Sequence, residues 1–129
     1  MSNPPVISVV DDDASIRVAT GNLLRSLGHT VCTFASAKEF LRSSRFADTS
    51  CVIADVQMPA MSGVELQAIL LAQGHRVPFI FITAFPEETI RERAMKAGAI
   101  GFLTKPFDTL TLIKCLDTVL ERYGGRTSE

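Results

Sequence analysis

Four short apolar runs constrain this chain more than any other feature: Val6-Ile7-Ser8-Val9-Val10, Cys51-Val52-Ile53-Ala54, Phe79-Ile80-Phe81-Ile82 and Ile100-Gly101-Phe102-Leu103. They are too short for helices, rich in branched and aromatic residues, and nearly continuous rather than alternating. Continuous apolarity requires cover on both faces, as for a strand inside a parallel sheet. A fifth run, Thr30-Val31-Cys32-Thr33-Phe34, alternates and is expected at an edge.

Helical spacings fill the intervals. Ile16, Ala19, Leu23, Leu24 and Leu27 are expected to share a buried face, with Gly28 as the left-handed stop. Ser36-Ala-Lys-Glu39 and Ser62-Gly-Val-Glu65 read as S-x-x-E capping boxes opening a second and a third helix, the latter ended by Gly74. Pro86 suits the first turn of a fourth helix, closed by Gly98. Asp108 can cap a fifth, with Leu112, Ile113, Leu116, Val119 and Leu120 as its buried stripe. Strand and helix thus alternate five times in a domain expected over residues 1–123, and 124–129 read as a tail or the start of a linker. Alternation implies an α/β doubly wound parallel sheet, because right-handed crossovers place the helices on its two faces. The five-stranded order 2-1-3-4-5 agrees with the second strand at an edge.

Thirteen basic residues against fourteen acidic ones give a net charge of −1, which argues against a dedicated nucleic-acid binder. Met1–Pro5 lack the charged and apolar regions of a signal peptide, and no run approaches the roughly 18 apolar residues of a membrane span, so a cytoplasmic protein is expected. Cys32, Cys51 and Cys115 lie singly in apolar runs and read as small buried hydrophobes rather than disulfide partners or zinc ligands.

Chemistry collects after the strands. Asp11, Asp12 and Asp13 follow the first, Asp55 the third, Thr83 the fourth and Thr104-Lys105-Pro106 the fifth. In a parallel sheet these ends line one edge, near the crevice where such folds bind ligands. Crowded carboxylates repel unless protons or a cation relieve them, and an all-oxygen set suits Mg²⁺ completed by water and phosphate oxygens. With Lys105 and Thr83 facing the same place, the residues point to phosphoryl transfer onto Asp55.

Val9-Val10-Asp11-Asp12-Asp13, Ala54-Asp55-Val56-Gln57-Met58-Pro59 and Met61-Ser62-Gly63 resemble the motifs of bacterial response-regulator receiver domains, those of the FixJ type above all. So do Phe81-Ile82-Thr83-Ala84, Ala94-Met95-Lys96-Ala97-Gly98-Ala99 and Phe102-Leu103-Thr104-Lys105-Pro106-Phe107. The resemblance runs from about Val6 to Tyr123 and implies the flavodoxin-like, CheY-like (βα)5 fold. It further implies that Asp55 takes a phosphoryl group from the histidine of a sensor kinase. Mg²⁺, or Mn²⁺ in its stead, would be held by Asp12, Asp11, Asp55 and the Gln57 backbone carbonyl. Asp13 would cap the first helix, Lys105 would pair with phosphoryl oxygens, and Lys105-Pro106 would be cis. Thr83 and Phe102 would form the switch pair. Such a domain is a signalling phosphoacceptor rather than an enzyme, limited to self-catalysed phosphotransfer and autodephosphorylation. Its fourth-helix to fifth-helix face serves output or homodimerisation, and FixJ-type receivers precede a DNA-binding domain, which this chain does not contain. Phosphorylation is expected to shift the loop after Thr83, the fourth helix and the fifth strand, since Phe85 is a poor N-cap.

Blander readings stand beside these. Asp11 and Asp12 suit capping, Asp55 and Thr83 suit strand-end turns, Lys105 suits a solvated charge and Phe102 the plain core. Phe85 either hinders the water that attacks an acyl phosphate or packs on the fourth helix. His29 and His75 read as exposed loop residues, and Arg91, Arg93 and Lys96 as salt-bridge partners of Glu87, Glu88 and Glu92. The alternative function is a haloacid-dehalogenase-type phosphatase with its nucleophile in Asp11-Asp12-Asp13, against which stand the short chain and the lack of a late acidic pair. A flavodoxin-like mononucleotide binder would need a first loop that does not repel phosphate.

Overall fold

The computed structural model describes residues 4–43 and 47–122. The elements alternate as β1 Val6–Val10, α1 Ala14–Ser26, β2 Thr30–Phe34, α2 Ala37–Arg42, β3 Cys51–Asp55, α3 Gly63–Ala72, β4 Phe79–Thr83, α4 Glu88–Lys96, β5 Gly101–Thr104 and α5 Thr109–Arg122. Every strand pairing is parallel, and the order is β2-β1-β3-β4-β5, as expected from the alternation. The expected boundary at Tyr123 and the segment 124–129 lie outside the described residues.

Side-chain alternation divides the core. Val10, Val52, Ala54, Phe79 and Phe81 pack with Phe40 of α2, Leu66 and Leu70 of α3 and Ala94 of α4. Ile7, Val9, Ile53, Ile80 and Ile82 point the other way, onto Leu24 of α1 and Leu112, Leu116 and Val119 of α5. Each buried Val, Leu, Ile or Phe side chain among these stabilises the fold by roughly 1.5–3 kcal/mol before entropy is counted.

β3 and β4 each run one residue beyond their apolar stretch, because Asp55 pairs with Ile82 and Thr83 with Thr104 in the ladder. β5 departs from expectation: only Gly101 is buried there, since the strand closes an edge of the sheet. The buried line of α1 is also rotated. Thr20, Gly21 and Leu24 face inward, whereas Ala19 and Leu27 are exposed. Small residues win the inner face because the helix lies close to β2: a Cβ on Gly21 would stand 3.2 Å from Thr33 Cγ2.

The caps are mostly those the sequence predicts. Ser62 and Glu65 form a complete capping box. In α2 the Ser36 hydroxyl accepts from Glu39 N–H, but the Glu39 carboxylate reaches one residue further back, to Ala35 N–H. Asp13 accepts from Ser15 and Ile16 N–H. Gly28, Gly74 and Gly98 all have positive φ at the predicted stops. Pro86, however, lies before α4 rather than in its first turn; the N-cap is Glu87, not Phe85, and makes no side-chain cap hydrogen bond. The turn ahead of the helix is held instead by Thr83 and Gln57, which delays helix entry by two residues.

Cys51 is buried, while Cys32 and Cys115 are only half-buried, and none of the three forms a disulfide among the described residues. Burial, then the neighbouring Cys115, pushes the Cys51 thiol up to about 12. His29 and His75 are half-buried rather than exposed. On α4, Arg91 pairs with Glu88 at 3.5 Å.

Candidate functional site

The carboxyl ends of β1, β3, β4 and β5 bring the predicted residues together because parallel strands present the same end to the same edge. Asp11 follows β1 directly and is 1% exposed; Asp55, the last residue of β3, is 5% exposed; Thr83, the last of β4, is fully buried. Carboxylate oxygens of Asp11, Asp12 and Asp55 all lie within 4.8 Å of one another. Lys105, just past β5, donates to Asp55 Oδ2 at 3.1 Å and stands 3.3 Å from Asp11 Oδ2. The Lys105-Pro106 peptide is cis, and Lys105 N–H donates to Thr83 carbonyl oxygen at 2.7 Å.

Backbone and side-chain hydrogen bonds fix the acids. Asp11 Oδ1 accepts from Asp13 N–H at 2.9 Å, and Asp55 Oδ1 accepts from Gln57 N–H at 3.2 Å. Arg17 donates to the Asp11 carbonyl at 2.7 Å. Nothing in the sequence reading singled out Arg17; its signal is a guanidinium one turn into the helix that follows the acids. Asp12 is exposed at the mouth, so its carboxylate is the accessible member of the group.

Asp11 Oδ2 is the telling atom. It is buried and accepts no hydrogen bond among the described residues, its ion-pair partner there being the Lys105 ammonium at 3.3 Å. The ion pair offsets part of the cost of burying this acceptor, and a lone pair is left without a donor. Oxygen donors of this kind, with one unsatisfied, fit a hard divalent cation such as Mg²⁺.

Burial raises the pKa of Asp11, and the Asp55 charge adds to it, outweighing the Asp13 N–H and Lys105. For Lys105, burial acts to lower the pKa, but the Asp55 hydrogen bond and the charges of Asp11 and Asp55 outweigh it and leave it raised. A carboxyl held above its ordinary pKa favours the fold when protonated, below the unfolded value, and that contribution is lost as pH rises through the folded value. Ionised Asp11 therefore works against the metal-free fold at neutral pH. Asp11→Asn is expected to melt at a higher temperature than wild type there, with the gap closing as pH falls below the ordinary aspartate value of 3.8. A lower melting temperature at neutral pH contradicts this account.

Thr83 and Phe102 share one sheet face, because Phe102 is in register with Phe81 and Thr104 with Thr83. Phe102 is half-buried, its ring centroid 6.3 Å from that of Phe81. The Thr83 hydroxyl donates to Gln57 Oε1 at 2.5 Å. Phe85 is 72% exposed, so packing on α4 is not what its ring does.

An acidic, lysine-bridged hollow at the strand ends of a 2-1-3-4-5 sheet defines a class of signalling domain, and the chain belongs to it: residues 7–117 match the response regulator receiver domain family of two-component systems. Nodulation protein W of Bradyrhizobium diazoefficiens is 40% identical over 125 residues, 97% of this chain and 55% of that protein. Transcriptional regulatory protein FixJ of Azorhizobium caulinodans is 37% identical over 123 residues, 95% of this chain and 56% of that protein. The solved structure of response regulator StyR matches with TM-score 0.86 and 44% identity over 93% of this chain and 61% of that one. FixJ-N matches with TM-score 0.82 and 30% identity over the full length of both chains. The chain spans about half the length of the curated relatives it matches. No helix among the described residues is long and apolar enough to cross a membrane.

Proposed function

We propose that Asp55 is the phosphoacceptor of this receiver, taking a phosphoryl group from the histidine of a sensor kinase and switching the α4-β5-α5 face. The observation that carries the reading is the convergence of Lys105 Nζ on Asp55 Oδ2 and on Asp11 Oδ2, the latter a buried oxygen that accepts no hydrogen bond among the described residues. Asp11, Asp12, Asp55 and the Gln57 backbone carbonyl are the groups that would hold Mg²⁺, or Mn²⁺ in its place. Once bound, the ion supplies positive charge to the oxygens of the transferring group.

An Asp55 carboxylate oxygen forms the new bond to phosphorus as the donor's N–P bond breaks, its electron pair returning to the imidazole nitrogen. The Lys105 ammonium balances charge on the phosphoryl oxygens. Thr83 is the hydroxyl that can donate to one of them, and the half-buried Phe102 ring can turn into the space its movement leaves. Added charge and acceptor oxygens draw in donor-bearing loops. The β4–α4 turn and α4 suit that response, since α4 starts without a side-chain cap. The switched face serves homodimerisation or control of an output domain, DNA-binding as in FixJ-type regulators, in the cytoplasm.

The test supplies a small phosphodonor with Mg²⁺ and follows both labelling and phosphate release. Labelling that stops at about one base-labile group per chain supports the receiver reading. Sustained hydrolysis of phosphate monoesters supports the phosphatase alternative and overturns it. Phe85, exposed two residues after Thr83, is the side chain that would shield the acyl phosphate from water; Phe85→Ala is expected to speed its decay, and an unchanged rate removes that role.

A further inference from the structure

We propose that the Gln57 side chain is a latch that holds the Thr83 hydroxyl in its resting arrangement and must release it before Thr83 can serve a phosphoryl group. The inference rests on Asp55 as acceptor and concerns what restrains the response.

Gln57, Thr83 and Phe85 form a closed set of hydrogen bonds. The Thr83 hydroxyl donates to Gln57 Oε1 at 2.5 Å and accepts from Phe85 N–H at 3.0 Å. Gln57 Nε2 donates to the Phe85 carbonyl at 3.3 Å. A hydroxyl has a single hydrogen to give. The one Thr83 carries is committed to Gln57, so a phosphoryl oxygen on Asp55 competes with the amide for the same proton.

The amide also ties down the turn that leads into α4. Phe85 is held at both its N–H and its carbonyl, and the helix two residues on has no side-chain cap of its own. Gln57 is well placed for this because its backbone N–H is anchored on Asp55 Oδ1 at 3.2 Å. The acceptor and the latch therefore sit two residues apart on one short loop, and a change at Asp55 reaches Gln57 through a direct bond. Gln57 is exposed, and its side chain makes no contribution to the core clusters. Its side chain acts through Thr83, which makes it a positioning residue rather than a catalytic one.

Gln57→Met keeps the length of the side chain and removes its amide; Gln57→Ala removes the reach as well. Both leave the backbone carbonyl and N–H in place. With beryllofluoride and Mg²⁺ as the phosphoryl analogue, each variant is expected to bind the analogue about fivefold more tightly than wild type, the equivalent of one net hydrogen bond no longer to be broken. In the metal-free, analogue-free protein, Phe85 amide exchange is expected to quicken, while core amides of β1 and β3 keep their wild-type rates. A purely structural role would weaken analogue binding instead. Equal or weaker binding in both variants overturns the latch. Failure of wild type to bind the analogue, or equal binding by Asp55→Asn, overturns the acceptor reading and the latch with it.

Discussion

Asp55→Asn is expected to take up no phosphoryl group under conditions in which wild type takes up one, read as intact mass after treatment with acetyl phosphate and Mg²⁺. The substitution is close to isosteric. It keeps an oxygen that can accept from Gln57 N–H, as Asp55 Oδ1 does at 3.2 Å, so the loop after β3 stays in place. What it removes is the anionic oxygen able to bond to phosphorus, and a neutral amide oxygen is no substitute nucleophile. It also takes away the hydrogen-bonded carboxylate of the pair with Lys105 at 3.1 Å, which leaves the ammonium to Asp11 alone. That change is electrostatically mixed, because the Asp55 charge is also one of the causes raising the Asp11 pKa. The variant is therefore expected to remain folded while losing the label completely. A base-labile group persisting in Asp55→Asn places the acceptor elsewhere.

The second large effect is on stability. Gly63 opens α3 directly beneath the end of β3, its N–H donating to the Val56 carbonyl at 3.1 Å. A Cβ there would overlap the Asp55 carbonyl oxygen and stand 3.2 Å from the Asp55 carbonyl carbon and 3.1 Å from Phe81 Cε1. The obstacle is backbone in the middle of the sheet, so no rotamer change relieves it; α3 has to move away from β3. Overpacking of this kind costs about 3 kcal/mol, a large share of the roughly 5–15 kcal/mol that holds a domain of this size together. Gly63→Ala is expected to lower the urea midpoint accordingly, at an unchanged slope. The reason lies in close approach rather than in backbone freedom, since Gly63 is not among the residues with positive φ. A variant as stable as wild type shows that the α3 N-terminus is free to shift.

The two effects meet at one place. Val56 and Gly63 tie α3 to the end of β3, Gln57 ties the same loop to Thr83, and Asp55 lies between them. A tightly packed α3 lies on one side of the acids, and on the other lies a hydrogen-bonded turn ahead of a helix with no side-chain cap.

Much of this was legible in the residues themselves. Continuous apolar runs place strands in the interior of a parallel sheet, and once the strands are parallel, whatever follows each of them shares an edge. That is why Asp11, Asp12, Asp55, Thr83 and Lys105 could be grouped before any distance was known. Helix stops were equally plain, because only glycine adopts the left-handed stop conformation without strain. The errors fall where local pattern competes with packing. The spacing of Ala19 and Leu27 suggested a buried face of α1, but close approach to β2 reserves that face for Thr20 and Gly21. Pro86 favoured an early start for α4, but hydrogen bonds from residues 26 and 28 positions away in the chain hold the preceding turn.

The sequence alone determined the order of the elements, the class of fold and the residue types brought to one edge, because periodicity and strand polarity are properties of the chain's own geometry. Only the tertiary structure decided that Lys105 bridges Asp55 and Asp11, that one buried Asp11 oxygen accepts no hydrogen bond among the described residues, and that Gln57 holds the Thr83 hydroxyl. Those are matters of direction and distance between segments far apart in the chain, and they are fixed when the sheet and its helices pack, not by any local pattern.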